Sequence, residues 1–177
     1  MKALMVSADG FEDTELLVPL YRLREEGISV DVASPCPGSI TGKHGYSQSI
    51  DRTLAEVDPR DYDLLVLPGG RAPAALRDDT ALQEIVRAFD AATKPIAAIC
   101  HGPQILVSAG VMDGRRATCY KTVATELKDA GARYVDREVV VDGNLVTSRQ
   151  PSDLPAFCRE IMKQLGARKS SAPVSRT

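Results

Sequence analysis

The stretch AAICHGPQ at residues 97–104 sets a thiol, Cys100, between an apolar run and a Gly-Pro pair, with His101 beside it. Adjacent thiol and imidazole groups offer nucleophilic chemistry if the thiol can ionise and the chain turns sharply enough to present it. The local pattern A-I-C-H-G resembles the elbow G-x-S-x-G, with Ala98 and Gly102 in the small positions and Cys in place of Ser. The bland alternative is a small hydrophobe at a strand end. Pro103 suits the first turn of a helix, where its missing N–H has no partner in any case, and Gly110 suits the end of that helix. Cys100 then lies between a strand and a helix N-terminus. The partial positive charge there favours a thiolate, a lowered thiol pKa and fast alkylation at pH 6.

The partners of such a thiol are few. His44 and His101 are the only two histidines, so the late-loop histidine that hydrolases with this elbow use is missing. The base is His101, His44, a carboxylate, or nothing. SADGFEDTE at 7–15 supplies Asp9, Glu12, Asp13 and Glu15. First-turn carboxylates favour a helix N-terminus, which accounts for three of the four. One can face the thiol from a neighbouring strand end, protonated if buried and donating to sulfur. Gly69-Gly70 in VLPGGRAP is either a flexible turn or a place where backbone N–H groups approach a ligand, as an oxyanion site needs. GKHGY at 42–46 reads as a turn or subunit contact rather than a source of catalytic His44. Cys36, Cys119 and Cys158 read as structural, with Cys119, beside Tyr120, able to line a pocket.

The elements that must hold these residues are legible as alternation. KALMVS at 2–7, ISVDVAS at 28–34, DLLVLP at 63–68 and PIAAIC at 95–100 read as strands, the apolar ones central and parallel. A helix over 14–26 carries Leu16, Leu17, Leu20 and Leu23 on one face, with Pro19 predicting a kink or late start. Asp79 or Thr80 caps the next helix, with Gln83 completing a capping box on Thr80. Residues 123–131 read as a short helix. REVVVDGNLVTS at 137–148 reads as a hairpin turning at Asp142-Gly143. A last helix starts near Ser152 with Leu154, Phe157, Ile161 and Leu165 on its apolar face. This is an α/β pattern: a mostly parallel sheet with helices on both faces. Residues 1–166 read as one domain and 167–177 as a disordered tail.

Composition bounds the function. A chain of 177 residues with 26% charged residues and a net charge of −2 is an ordinary globular domain. It gives no basic footprint for nucleic acid or an anionic membrane. No apolar run approaches the ~20 residues of a membrane span, and MKALMVSADG reads as too short an apolar run for a signal peptide. Four cysteines without C-x-x-C or zinc-finger spacing read as reduced thiols in the cytoplasm. No metal or organic cofactor is implied. The acidic SADGFED loop would repel the phosphate that a flavodoxin binds there. LLVLPGG lacks the strand-end Asp of a receiver domain, and neither G-x-G-x-x-G nor a Walker loop occurs.

The motifs FEDTEL at 11–16, SITGKHGY at 39–46, VLPGGRAP at 66–73, ICHGPQIL at 99–106 and VVVDGNLVTSR at 139–149 together resemble the ThiJ/PfpI superfamily, in its intracellular protease I branch. The resemblance spans about residues 2–165. It implies a flavodoxin-like three-layer sandwich related to class I glutamine amidotransferases. It implies Cys100 as nucleophile, Glu12 hydrogen-bonded to the thiolate and His101 as neighbouring base. It implies an oxyanion site at the N–H groups of Gly70 and His101, beside Gly69, and Tyr120 lining the pocket. Family members are homodimers or hexamers, and their activities include peptidase, cofactor-free glyoxalase and deglycase chemistry. One residue departs from the pattern: Ala74 stands where this branch has a Glu that orients the His across a subunit boundary, with Asp78 or Asp79 the nearest substitutes. That departure weakens peptide hydrolysis, which needs an oriented base, more than attack of a thiolate on an aldehyde. The expected activity is therefore a stress-response enzyme for reactive carbonyls such as methylglyoxal or its adducts. The alternatives are a cysteine peptidase, and a non-catalytic redox sensor or holdase using Cys100.

Overall fold

The computed structural model describes residues 1–171, of which 167–171 are described in backbone alone. In chain order the elements are β1 (Lys2–Val6), α1 (Asp13–Glu25), β2 (Ser29–Ser34), β3 (Ser39–Thr41), β4 (Ser47–Ser49), β5 (Arg52–Thr53), β6 (Leu64–Leu67), α2 (Ala72–Leu76), α3 (Thr80–Ala91) and β7 (Ile96–Ile99). They continue with α4 (Pro103–Ala109), β8 (Arg116–Ala117), α5 (Ala124–Asp129), β9 (Arg133–Tyr134), β10 (Val139–Asp142), β11 (Leu145–Ser148) and α6 (Leu154–Ser171).

A seven-stranded sheet in the order β10-β11-β7-β6-β1-β2-β5 forms the middle layer. Every pairing in it is parallel except β10 against β11. Leaving out the two edge strands, the order by position in the chain is 2-1-3-4-5, the flavodoxin-like winding. β6 and β7 are buried at every residue, as central strands covered on both faces must be. α1 and α6 pack together on one face, while α2, α3, α4 and α5 cluster on the other. The core between these layers is Leu, Val, Ile and Ala, with Phe11, Phe89 and Phe157 as its largest side chains. No described helix is long and apolar enough to cross a membrane.

Several local details differ from the sequence expectations. α1 is continuous from Asp13 through Pro19, so the proline does not delay its start. Asp79 caps α3 by accepting the Leu82 N–H, while Gln83 bonds the Arg77 carbonyl, so no capping box forms on Thr80. The hairpin pairs Asp142 with Leu145, which makes Gly143-Asn144 the two-residue loop rather than Asp142-Gly143. Only Gly143 has positive φ (58°), the pattern of a type II′ turn. Helix α6 runs to Ser171, into the stretch read as a tail; the rest of that tail, 172–177, lies outside the described residues.

Candidate active site

The winding reverses between β1 and β6, and a parallel α/β sheet binds ligands beyond the strand ends at such a point. The loops after β1, β6 and β7 converge there and are stitched together by backbone. Phe11 bridges Gly70, Glu12 N–H donates to Gly69 O (3.2 Å), and Arg71 N–H donates to Gly10 O (2.8 Å). The 42–46 turn is tied in from the side. Lys43 N–H reaches Phe11 O (2.7 Å), and the buried Asp13 carboxylate accepts the N–H groups of His44 (2.9 Å) and Tyr46 (3.0 Å). Although burial works to raise it, those two amides hold Asp13 below its usual pKa. GKHGY forms the turn read from the sequence.

Cys100 sits on the elbow. Its φ of +62° is one of two left-handed non-glycine values among the described residues. Strain of this kind costs of order 1–3 kcal/mol and persists only where the surroundings enforce it. Enforcement is visible: Cys100 N–H donates to Ser148 O (3.0 Å) and Cys100 O accepts from Tyr120 N–H (2.9 Å). Gly102 has no room for a side chain, because a Cβ there would enter contact distance of Leu67 O on β6. Cys100 is 8% exposed, and the backbone N–H groups of Gly70 and His101 point at its thiol. Gly70 holds φ +84°, which a side chain would not tolerate.

The carboxylate at the thiol is Glu15, not Glu12. Glu15 is fully buried, and its Oε2 accepts the Gly69 N–H at 2.9 Å. Its Oε1 is buried with no nitrogen or oxygen partner, and the carboxyl and the Cys100 thiol are coupled. Gly69 is there to admit it: a Cβ at 69 would lie 2.5 Å from Glu15 Oε2 and 2.7 Å from Cys100 Cβ. Because the Gly69 N–H is spent on Glu15, Gly69 does not serve the oxyanion site, and Gly70 and His101 remain. Glu12 lines the same pocket further out, 3.5 Å from Lys43 Nζ and 3.4 Å from His44 Nε2. The sequence carried a signal for Glu15. It precedes Pro19 and Leu23 by one and two helical turns, so it lies on the buried stripe of α1.

The thiol pKa is not depressed. Burial first, and then the Glu15 charge, push Cys100 up to about 12 against the two amides. Burial likewise pushes Glu15 up to about 7, against the Gly69 N–H, with the Glu12 charge adding to the rise. Between those values the pair holds a single shared proton. His101 completes the cluster: Nδ1 lies 3.2 Å from Cys100 Sγ, Nε2 lies 3.5 Å from Thr122 Oγ1, and the ring stacks on Tyr120 at 5.1 Å. Burial, with the Lys43 charge, lowers the His101 pKa, which keeps the imidazole neutral and able to take a proton.

These residues border a pocket of about 900 Å³ that also includes Arg71, Ala74, Gln104 and Gln150. At Ala74 the wall is a methyl group. Asp79 is committed to the α3 cap and Asp78 does not line the pocket, so neither replaces the missing carboxylate. Cys119 is fully buried and does not line the pocket either.

A flavodoxin-like sandwich with a strained cysteine at a strand–helix elbow, facing a buried carboxyl, defines a class of α/β proteins built around that elbow. Within it the chain belongs to the DJ-1/PfpI family, whose pattern matches residues 1–164. It is 53% identical over 165 residues to "Deglycase PfpI" of Pyrococcus furiosus, covering 93% of this chain and 99% of that one. It is 44% identical over 169 residues to "Protein/nucleic acid deglycase 2" of Escherichia coli, covering 94% and 98%. Among solved structures it superimposes on DJ-1beta of Drosophila melanogaster with a TM-score of 0.86 at 33% identity, covering 93% of this chain and 89% of that one.

Proposed function

We propose that this protein is a cofactor-independent enzyme of reactive carbonyls, acting on 2-oxoaldehydes such as methylglyoxal or on their adducts. The observation that carries this reading is the elbow thiol held by the Gly70 and His101 amides beside a carboxyl that titrates near neutrality. Such a carboxyl is matched to proton transfer at working pH. The deglycase names of the relatives support the same class.

In this scheme Cys100 Sγ adds to the aldehyde carbon and its proton passes to Glu15. The carbonyl electron pair moves onto oxygen, which receives the N–H groups of Gly70 and His101. The alkoxide takes up the proton from Glu15 to give a neutral hemithioacetal. His101 or Glu15 removes the hydrogen from that carbon and returns a proton to the neighbouring carbonyl carbon, giving a thioester. Water hydrolyses the thioester, so methylglyoxal plus water gives lactate plus a proton and the thiol is restored.

Peptide hydrolysis is the weaker reading. It needs a base oriented by a third group, and the partners of His101 here are the thiol and the Thr122 hydroxyl, with a methyl at position 74. A cytoplasmic homodimer or hexamer is part of the proposal. The α1–α6 groove lined by Val18, Leu154, Pro155 and Met162 offers it an apolar face. The test is lactate formation from methylglyoxal without added thiol. Lactate from the native protein and none from Cys100→Ser is expected. No lactate from either overturns the reading.

A further inference from the structure

The pocket of Cys100 holds a cation that has no partner among the described residues. Arg71 lines it from the loop after β6, and its side chain has no hydrogen bond, ion pair or ring contact among the described residues. The residue is nevertheless positioned. Its backbone N–H is fixed to Gly10 O at 2.8 Å, and its stem lies against Gly10, where an added Cβ would be 3.1 Å from Arg71 Cβ. The neighbouring arginines are used otherwise: Arg77 pairs with Glu126, and Arg149 with Asp136 and Asp153.

The other charges of the pocket do not cancel Arg71. Glu12 is paired at its rim with Lys43 and faces His44. Glu15 is enclosed at the floor, fully buried, bonded to Gly69 and coupled to the thiol. An exposed arginine, unpaired among the described residues, is left lining a cavity that also holds the elbow thiol. A planar fork of N–H donors is suited to a carboxylate or phosphate, and such charge-assisted pairs are strong and geometrically selective.

We infer that Arg71 is a specificity-determining residue that takes an oxyanion carried by the carbonyl substrate, so that anionic 2-oxoaldehydes and their adducts are preferred to neutral ones. This inference rests on the carbonyl reading above, but its test separates the two. Reversible addition of an aldehyde to Cys100 protects the thiol from iodoacetamide whether or not turnover follows, and peptide mass reads that protection. The probes are 4,5-dioxopentanoate, its neutral methyl ester, and the 2-oxoaldehyde bearing a phosphate at its third carbon.

In the native protein the carboxylate or the phosphate compound is expected to protect at a concentration about ten-fold or more below the ester. Whichever does so better identifies the anion. That advantage disappears in Arg71→Ala, is partly kept in Arg71→Lys, and survives Lys43→Ala. Equal protection by anions and ester in the native protein overturns the inference. So does an advantage that persists in Arg71→Ala, or one that is lost in Lys43→Ala instead. Formation of the 2-hydroxy acid is scored separately. Selective protection without product removes the carbonyl-enzyme reading and leaves the anion site; product without selectivity does the reverse.

Discussion

At the scale of single residues, the chemistry rests on one proton shared by two groups. Glu15 is pushed up to about 7 and Cys100 up to about 12, so the pair loses its first proton near neutrality whichever atom then carries the charge. Turnover and alkylation of Cys100 should both rise through about pH 7 rather than reach completion by pH 6. In Glu15→Gln only the thiol remains to ionise, and burial holds its pKa up, so the limb moves to higher pH. Turnover at pH 7 falls by roughly 10²–10⁴-fold, the usual worth of a positioned acid–base group. Glu12→Gln, which leaves the shared proton in place, should cost only a few-fold. A limb that stays near 7 in Glu15→Gln, in iodoacetamide kinetics across pH 5–9, removes Glu15 from this role. Cys100 and His101 were legible from residue type and adjacency. Glu15 was harder, because Asp9, Glu12, Asp13 and Glu15 all satisfy a helix N-terminus, and Asp13, buried as well, shares the apolar stripe with it.

At the scale of elements, the site depends on how closely α4 approaches β6. Gly102 opens α4, and a Cβ there meets Leu67 O, with Ile99 O at 2.9 Å and Ile99 N at 3.2 Å. These are backbone atoms of central strands, which cannot yield as a flexible side chain would. Gly102→Ala should therefore cost about 1–3 kcal/mol by overpacking. For a domain of this size that lowers Tm by roughly 2–12 °C in a calorimetric scan. It should also retract the His101 N–H from the thiol, so activity falls with stability. An unchanged Tm would mean that α4 is free to shift. The core strands and longer helices were legible because apolar runs of strand length alternate with 3.6-residue periodicity, whereas β3, β4, β5, β8, β9 and α2 are too short to show a period. The left-handed cysteine was legible only as a pattern of small neighbours. The turn at Gly143-Asn144 was displaced by one residue because Asp142 keeps its place in the ladder, where its carboxylate bonds Arg115 and the Arg116 N–H.

At the scale of the whole molecule, the fold carries the cost of an ionisable group at its centre. Glu15 is fully buried and its folded pKa of about 7 stands above the ordinary value of 4.5. Between those pH values the folded state retains a proton that the unfolded state has released. Stability must then fall as pH rises through that window, and level off above it. A shift of this size corresponds in full to about 3–4 kcal/mol. His101 works the other way, because its lowered pKa makes the folded state resist protonation as pH falls below 6.5. The native profile is the sum of the two, so the informative quantity is the difference from a variant. Glu15→Gln keeps an acceptor for the Gly69 N–H and removes the ionisation. Its urea stability relative to the native protein should rise by about 2–3 kcal/mol from pH 4.5 to 7.5, while its turnover collapses. A stability difference that does not change with pH would show that Glu15 ionises in the folded protein as easily as in the unfolded chain, and the shared proton would lose its basis. The gain in stability and the loss of activity would come from the same buried carboxyl, as expected where a strained site is maintained for its chemistry.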